Sequence, residues 1–221
     1  QGGGVLGNWI EDTARNEGYA CQATSVAGVA QRTGSTVYYL EMAPADKGTP
    51  VFSLAPSQGD LDIVIGAELM ETGRAIMRGF VTPDRTTLIG STHRVISIAE
   101  KTVPGDGIIG PEEVHAAAEV AAHKLILHDL EQVATDNGSV ISASLFGVLA
   151  GSGALPFSRQ AFEDAIRRSG KGVEASLKAF DAGFDIARTG GSAPDDEATE
   201  DSNQAIVSVQ GPSRLSRKWD G

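Results

Sequence analysis

The sequence has very little cysteine and a shortage of basic residues. Its single cysteine, Cys21, cannot form an intrachain disulfide. One cysteine also supplies too few ligands for an iron–sulfur cluster or a structural zinc ion, which take about four. If the protein takes part in electron transfer, the metal must therefore lie elsewhere. With 18 Lys and Arg against 29 Asp and Glu, the net charge is −11. This charge argues against nucleic acid as a partner, because that binding depends on Lys and Arg meeting phosphates.

Long apolar runs are missing as well. No stretch approaches the roughly 18 consecutive apolar residues needed to span a bilayer, and no secretory signal is visible. We therefore expect a cytoplasmic protein that does not associate with membranes. The 221 residues are 41% hydrophobic and 21% charged, which is typical of a globular chain with one large core or one and a half domains.

Three consecutive glycines stand at the start of the sequence, Gly2, Gly3 and Gly4. They run into an apolar stripe of helical period, formed by Val5, Leu6, Trp9, Ile10, Thr13 and Ala14. A glycine-rich turn that opens a helix presents unpaired N–H groups at the positive end of the helix dipole, which suits a phosphate or another anion. In doubly wound α/β folds such a turn follows a buried strand. We therefore interpret the sequence as a fragment whose first strand is missing.

The next segment, residues 19–26, is predicted to be a strand. A Rossmann nucleotide site would place an Asp or Glu near its end, about 20 residues after the glycines, to bind the ribose hydroxyls. The sequence has Thr24, Ser25 and Val26 there instead. The absence of this acidic residue argues against a nicotinamide cofactor site.

A polar pair, Gln31 and Arg32, lies between Gly28 and Gly34. A planar amide beside a guanidinium is suited to recognising a carboxylate or a phosphate. The alternative, an ordinary turn whose polar side chains bind neighbouring backbone, carries the greater weight from the residues alone. Residues 36–41 are then predicted to form a strand.

The middle of the chain alternates strands and helices. Residues 61–67 are nearly all apolar, which predicts a central parallel strand buried on both faces. A helix over 69–80 and a strand over 86–92 follow. This strand–helix–strand order predicts an α/β protein with a Rossmann-like open, largely parallel sheet, flanking helices and a C-terminal helical extension. A helix from Pro111 to about His123 and a short strand over 124–130 continue the alternation.

Two further patterns are weaker. A Gly-Asp-Gly at 105–107 opens the motif that binds thiamine diphosphate and magnesium, but the second asparagine that closes this motif is absent. The four histidines, His93, His115, His123 and His128, have no HxxxH or HxH spacing with acids, so we expect no metal site and take hydrogen-bonded or solvated histidines as the default.

From Ser139 the chain is predicted to be helical. The helix after Ser139 is apolar on all sides, the next begins at the N-cap Ser158, and a last one is directed at the core or an adjoining subunit. We divide the chain into an α/β domain at 1–137, a helical part of the same domain at 138–188, an acidic flexible linker at 189–204 and a further segment or interface strand at 205–221.

Together these segments resemble a known family, the gamma-type domain of the 2-oxoacid:ferredoxin oxidoreductases. The resemblance covers about residues 1–186 and is closest to the beta subunit of indolepyruvate oxidoreductase in its long bacterial form. It rests on the glycines at 2–4, the stretch 24–35 with its Gly-Xaa-Ala-Gln-Arg-Xaa-Gly element, and residues 62–66 with Glu68. Residues 139–146, 151–157 and 172–176 add to it. Thr33, in place of a commoner glycine, departs from the pattern.

The resemblance implies a component of a complex that oxidatively decarboxylates an aryl 2-oxoacid such as indolepyruvate. The products are the aryl-acetyl-CoA and two electrons for ferredoxin or a similar acceptor. Thiamine diphosphate, Mg²⁺ and the iron–sulfur clusters are expected in a partner alpha subunit, with none held by this chain and no catalytic residue in it. CoA is a substrate. Gly2, Gly3 and Gly4 are then expected to contact an anionic group of CoA, and Ser25, Gly28, Gln31 and Arg32 to face the partner near the active site.

Two alternatives belong to other classes. In the first, the chain is an assembly module that covers the flank of the catalytic subunit and binds no ligand. In the second, it is a nicotinamide-dependent dehydrogenase domain. The missing acid after the strand at 19–26 counts against the second.

Overall fold

A computed structural model describes residues 3–27, 36–93 and 110–190. Its helices are α1 (Gly3–Asn16), α2 (Leu69–Met77), α3 (Pro111–Ala121), α4 (Leu130–Asp136), α5 (Ile141–Ser152), α6 (Arg159–Ser169) and α7 (Val173–Thr189). Its strands are β1 (Tyr19–Ala27), β2 (Thr36–Pro44), β3 (Ile63–Gly66), β4 (Thr87–Ser91) and β5 (Lys124–His128). The linker was predicted at 189–204, but α7 includes Thr189. The rest of the linker from residue 191, the further segment at 205–221 and the Gly-Asp-Gly at 105–107 lie outside the described ranges.

The first helix forms as its apolar period predicts. Leu6, Trp9, Ile10, Thr13 and Ala14 are buried, whereas Val5 is 42% exposed. Val5, although part of the apolar stripe, therefore lies outside the buried face of the helix. Gly18 follows the helix with φ +81°, the left-handed conformation that ends helices.

The first two strands form a sheet of their own. β1 and β2 pair antiparallel over their whole length, from Tyr19 opposite Pro44 to Ala27 opposite Thr36. Both segments were predicted as strands, but they were expected in one largely parallel sheet. The separate antiparallel pair corrects that expectation. Strands joined by a short connection pair antiparallel, since a parallel pair needs a crossover of a dozen or more residues.

The second sheet is parallel and has the order β3-β4-β5. Ile65 pairs with Ile89, which pairs in turn with Ile126. All five residues of β4 are buried, while Ile63, Val64 and Ile65 of β3 are only partly buried. The central strand of the sheet is therefore β4. The prediction that residues 61–67 supply a central strand buried on both faces is wrong for the part of the chain that the structure describes, where β3 pairs with β4 alone and is only partly buried.

Helices cover both faces of the parallel sheet. On one face, Val81, Leu88 and Ala118 form a small core with partly buried residues of α2 and α3. On the other face lies the main core, which includes Ile89, Ile126 and Leu130 together with residues of α1, α5, α6 and α7. Coverage of both faces is the usual arrangement for parallel strands, and the α/β class predicted from the sequence is confirmed.

An aromatic cluster marks the centre of the main core. The ring of Phe146 on α5 lies 5.5 Å from that of Trp9, 5.0 Å from Phe162 and 5.9 Å from Phe180, measured between centroids. All four side chains are at least 94% buried. Side chains of this size contribute most of the apolar burial in a core. The cluster therefore joins α5 to α1, at the start of the chain, and to α6 and α7, which follow α5 in the sequence.

The contact between α5 and α7 brings the backbones of the two helices close together. A Cβ atom added to Gly147 of α5 would overlap the carbonyl oxygen of Phe180, and one added to Gly183 of α7 would overlap the carbonyl oxygen of Ser144. The two helices therefore meet at glycine on each side. This contact places α7 on the core, as one of the two targets predicted for it.

Candidate functional site

The N-terminal turn of α1 lies under an aromatic ring. A Cβ atom on Gly3 would lie 2.6 Å from Cε2 of Tyr38, and one on Gly4 would lie 3.3 Å from the Tyr38 hydroxyl oxygen. Glycine at these positions thus lets a strand side chain approach the helix backbone closely. The first turn of a helix carries N–H groups without an intrahelical partner and the positive end of the dipole. Tyr38 is 43% exposed, so its phenol stands between this turn and solvent.

One further predicted site residue lies beside this turn. Ser25 of β1 pairs directly with Tyr38 of β2, and side chains of directly opposite residues share one face of the sheet. The structure therefore groups Gly3, Gly4 and Ser25 around Tyr38. Gly2, Gly28, Gln31 and Arg32 lie outside the residues that the structure describes, so their place relative to this group stays a prediction.

Tyr38 was not among the residues predicted for the site. The sequence shows it only as one of two aromatic residues in a predicted strand. Its role depends on the antiparallel pairing of β1 with β2, which carries it over α1. The sequence feature that could have identified Tyr38 is its position a few residues after the Gly-Xaa-Ala-Gln-Arg-Xaa-Gly element.

A groove of about 310 Å³ lies between this hairpin, α1 and the edge of the parallel sheet. α1 contributes Gly3, Leu6, Gly7 and Ile10 to its lining. Ile63 and Ile65, which face the main core, line it together with Val64, which faces α2. The groove therefore runs around the edge of β3 and is in contact with both layers of helices.

A hydrogen-bonded group occupies the carboxyl ends of β4 and β5. Ser91, fully buried, accepts a hydrogen bond from the Leu130 N–H at 3.1 Å, and its hydroxyl lies 3.0 Å from His93 Nδ1. The carbonyl oxygen of His93 accepts from the N–H of Leu69, the first residue of α2. Ligands of open parallel sheets bind outside the carboxyl ends of the strands. The group thus holds the His93 ring and the start of α2 in place at that edge, and sequence reasoning did not identify it.

The antiparallel pair contains one buried and one partly buried titratable group, Cys21 and Tyr39. Burial raises the pKa of the Cys21 thiol to about 11. Burial also raises the pKa of Tyr39, and the hydrogen bond that its hydroxyl donates to Glu41 at 2.6 Å raises it further. The second oxygen of Glu41 accepts from the Ser53 N–H at 2.5 Å. The thiol and the phenol are therefore both neutral at physiological pH, and Glu41 joins the hairpin to the loop that follows it.

Within residues 3–27, 36–93 and 110–190, His, Cys, Asp and Glu side chains form no group of three or more placed to bind a metal ion. No single helix of the described chain is long and apolar enough to cross a membrane. Helices α4 and α5 reach that length and apolar character only when taken together, and they are bent by 115° relative to each other.

The chain matches one protein family in sequence and several solved structures in fold. The family described as "Pyruvate ferredoxin/flavodoxin oxidoreductase" matches residues 1–186. No curated protein sequence matches the chain. Among solved structures, a pyruvate oxidoreductase subunit from Thermotoga maritima has a TM-score of 0.57 at 17% identity, with 83% of this chain and 89% of that one covered.

Two further structures share the fold. The gamma subunit of a keto/oxoacid ferredoxin oxidoreductase from Geobacter sulfurreducens has a TM-score of 0.56 at 15% identity, covering 84% of this chain and 91% of that one. A 2-oxoglutarate:ferredoxin oxidoreductase from Magnetococcus marinus, with 2-oxoglutarate, coenzyme A and succinyl-CoA bound, has a TM-score of 0.53 at 15% identity. The match covers 85% of this chain but 29% of that one. At these identities the likeness establishes the fold alone.

Proposed function

We propose that this chain, which belongs to the pyruvate ferredoxin/flavodoxin oxidoreductase family, is the gamma-type component of a complex that oxidatively decarboxylates an aryl 2-oxoacid such as indolepyruvate. The observation that carries the proposal is the family match over residues 1–186. The solved gamma subunit of similar fold supports the position of the chain within such a complex.

In the proposed reaction the bond between the carboxylate and the keto carbon breaks, and a thioester bond forms between that carbon and the CoA sulfur. Carbon dioxide and one proton are released, and two electrons pass to ferredoxin or a similar acceptor. Thiamine diphosphate with Mg²⁺, expected in the partner alpha subunit, would accept the electron pair released on decarboxylation, and the iron–sulfur clusters of that subunit would carry the electrons. The present chain contributes binding and shape.

The binding role is assigned to the start of α1. Gly3 and Gly4 leave the first-turn N–H groups without neighbouring Cβ atoms, and the phenol of Tyr38 stands beside them. An anionic group of CoA fits this combination of helix dipole and hydroxyl donor. Because the chain as a whole carries a net charge of −11, the anion must be attracted by these local dipoles and by individual cations rather than by the general field of the protein.

Gln31 and Arg32 are proposed to face the partner subunit beside the same site, with Gly2, Ser25 and Gly28. The test is Arg32→Ala in the assembled complex, with the KM for CoA and the yield of complex as readouts. We expect the KM to rise about tenfold or the yield to fall, as for loss of one charge-assisted bond. Arg167→Ala is the control, since Arg167 pairs only with Glu163 and Asp164 on the exposed side of its own helix among the contacts described. Wild-type values of both quantities in Arg32→Ala would refute this role.

A second candidate, an assembly module without a ligand, is favoured by one observation. Met77 at the end of α2 and Val120 near the end of α3 are 67% and 79% exposed, and large apolar side chains on neighbouring helices suit a protein interface. Calorimetric titration of CoA into the whole complex separates the two candidates. Heat that disappears in Tyr38→Ala supports CoA binding at α1, whereas equal affinity in Tyr38→Ala and wild type leaves assembly as the role of this chain.

A further inference from the structure

A cleft opens on the side of α1 opposite to the groove. Its volume is about 520 Å³, within the range of roughly 300–1,000 Å³ that small-molecule sites have. Val5, Asn8, Trp9 and Asp12 of α1 line it, at the three- and four-residue spacing of a single helix face. Residues of α6, of α7 and of the turn between them complete the lining. The cleft is therefore large enough for an organic molecule with one aromatic ring.

The indole of Trp9 has a buried N–H group that lacks an acceptor. The side chain is only 6% exposed and packs against the ring of Phe146. Among the residues that the structure describes, no oxygen accepts a hydrogen bond from this N–H. A buried tryptophan N–H usually has a hydrogen-bond partner, and a donor left without one is unfavourable. Because Trp9 also lines the cleft, an acceptor that enters the cleft can satisfy this donor.

Ser176 supplies a second buried polar group to the cleft. This residue of α7 is 6% exposed. Within the described ranges its hydroxyl contacts only the hydroxyl of Ser139, at 3.4 Å, whereas a good O–H···O bond measures about 2.7–2.8 Å. The hydroxyl of Ser176 is therefore available for a closer partner.

The charged groups of the cleft favour an anion. Arg168 of α6 donates through Nε and Nη2 to one carboxylate oxygen of Asp12, each at 2.7 Å, so these two charges offset each other. The ammonium of Lys171 pairs with no acid in the described part of the chain. With Asp12, Arg168 and Lys171 as its charged residues, the lining carries one net positive charge, although the whole chain carries −11.

Apolar side chains border the same space. Val5 and Val140 line the cleft and are 42% and 57% exposed, and Ala165 adds to the apolar surface. Contact with an apolar ligand would remove these side chains from water, which is favourable. An inorganic anion would use only the charge of the cleft, and a neutral hydrocarbon only its apolar surface. A ligand with both an apolar body and a negative charge uses the whole lining.

We propose that the cleft is a binding site for a small monocarboxylate with an aromatic or branched apolar body. The carboxylate accepts a hydrogen bond from the indole N–H of Trp9 and is attracted by Lys171. The apolar body lies against Val5 and Val140. This inference is independent of the proposed function, because the cleft contains none of the residues assigned to CoA or to the partner subunit.

The test is titration of phenylacetate into the 221-residue chain, followed by NMR of the indole N–H groups. The chain has two tryptophans, and Trp219→Phe leaves the signal of Trp9 alone. We expect a Kd of about 1 mM, a downfield shift of the Trp9 indole proton and at least about tenfold slower exchange with water, because the donor gains an acceptor. A Trp9 signal that stays unchanged up to about 50 mM phenylacetate, well above that Kd, would overturn the proposal.

Three variants test the position of the ligand. We expect Lys171→Met to weaken binding about threefold, the usual effect of an exposed ion pair, and Val140→Asp to weaken it about tenfold, since a carboxylate there repels the anion. Val140 is the N-cap of α5, where aspartate is favourable, so the fold should be kept. Lys178→Met, on the exposed surface of α7 and outside the cleft lining, is the matched control. Equal affinity of all three variants would overturn the site.

Two other probes test the class of ligand. Inorganic phosphate has the charge without the apolar body, and phenylacetamide has the body without the charge. We expect both to bind at least about fivefold more weakly than phenylacetate. If phosphate shifts the Trp9 signal at the same concentration as phenylacetate, the cleft is a general anion site and the proposed class is wrong. Equal binding of phenylacetamide would show that Lys171 plays no part and would likewise overturn the proposal.

Discussion

The ring of Tyr38 lies across the first turn of α1 so closely that Gly3 has no space for a side chain. A Cβ atom on Gly3 would lie 2.6 Å from Cε2 and 2.9 Å from Cδ2 of the tyrosine. Glycine is therefore required at this position to leave space for the Tyr38 ring, in addition to the anion-binding role proposed for it. The two roles are separable, because the ring can be removed while the helix is kept.

We predict that Gly3→Ala lowers the stability of the protein when Tyr38 is present and raises it when Tyr38 is replaced by alanine. In the wild-type background it should lower the free energy of unfolding by about 1 kcal/mol, because the ring must move. In a Tyr38→Ala background the same change should raise it by about 0.5 kcal/mol, the usual gain of alanine over glycine in a helix. Urea denaturation of the four proteins measures both values. Stabilisation by Gly3→Ala in both backgrounds would show that the ring does not constrain this position.

The contact between α5 and α7 should tolerate no side chain. We expect Gly147→Ala to lower the free energy of unfolding by about 3 kcal/mol, since the added methyl group overlaps the Phe180 carbonyl and the helices must separate. Gly7→Ala is the matched control: it lies within α1, and its Cβ would meet only Tyr38, at 4.0 Å. The control should be neutral or stabilising by up to about 1 kcal/mol. Equal losses in the two variants would contradict the backbone contact.

Removal of the Ser91 hydroxyl should be costly. Ser91→Ala leaves the buried Leu130 N–H without its partner and the His93 ring without its hydrogen bond at Nδ1. We expect a loss of about 2 kcal/mol, the usual penalty for a buried donor left unpaired. Ser169→Ala, which removes a hydroxyl bonded to Ile166 at the end of an exposed helix, should stay within about 0.5 kcal/mol. A loss for Ser91→Ala no larger than that of Ser169→Ala would refute the role of the hydroxyl.

The buried thiol predicts a pH dependence in the alkaline range. Because burial raises the pKa of Cys21 from 9.0 to about 11, the unfolded chain releases this proton first as the pH rises. Stability from this group is complete below pH 9 and falls as the pH rises toward about 11. We expect Cys21 to contribute about 2 kcal/mol to that fall. Thermal denaturation from pH 8 to 11 measures it.

Cys21→Ala is the control for that measurement. The variant should lose the part of the decrease in stability between pH 9 and 11 that is due to the thiol. It should keep the part that is due to Tyr39, since burial raises the pKa of that phenol as well. An identical slope in the variant and the wild type would exclude the thiol as a cause.

Local patterns in the sequence predicted most of the elements. The apolar periods located α1, α5 and α7, and the cap at Ser158 located the start of α6, where its hydroxyl accepts from the Ala161 N–H at 3.2 Å. Helix α4 was not predicted, because its seven residues were too few for a period to show. Its cap was nevertheless visible in Asp129, which accepts a hydrogen bond from the Gln132 N–H.

Strand pairing was the part that the sequence could not determine. An apolar run such as residues 61–67 has the same appearance whether a strand is central or at an edge, and the partial burial of Ile63 shows only in the fold. The same limit hid Tyr38, whose contact with Gly3 joins residues 35 positions apart through the antiparallel pairing of β1 with β2. The glycines at the site were predictable, but the side chain that covers them was not.

The meeting of α5 and α7 has a consequence for synthesis. Phe146 and Gly147 leave the ribosome well before Phe180, against which both pack. During that interval the most apolar helix of the chain has only part of its final surroundings, and a growing polypeptide in this condition is a substrate for chaperones. The surroundings of α5 are therefore complete only after α7 has been synthesised.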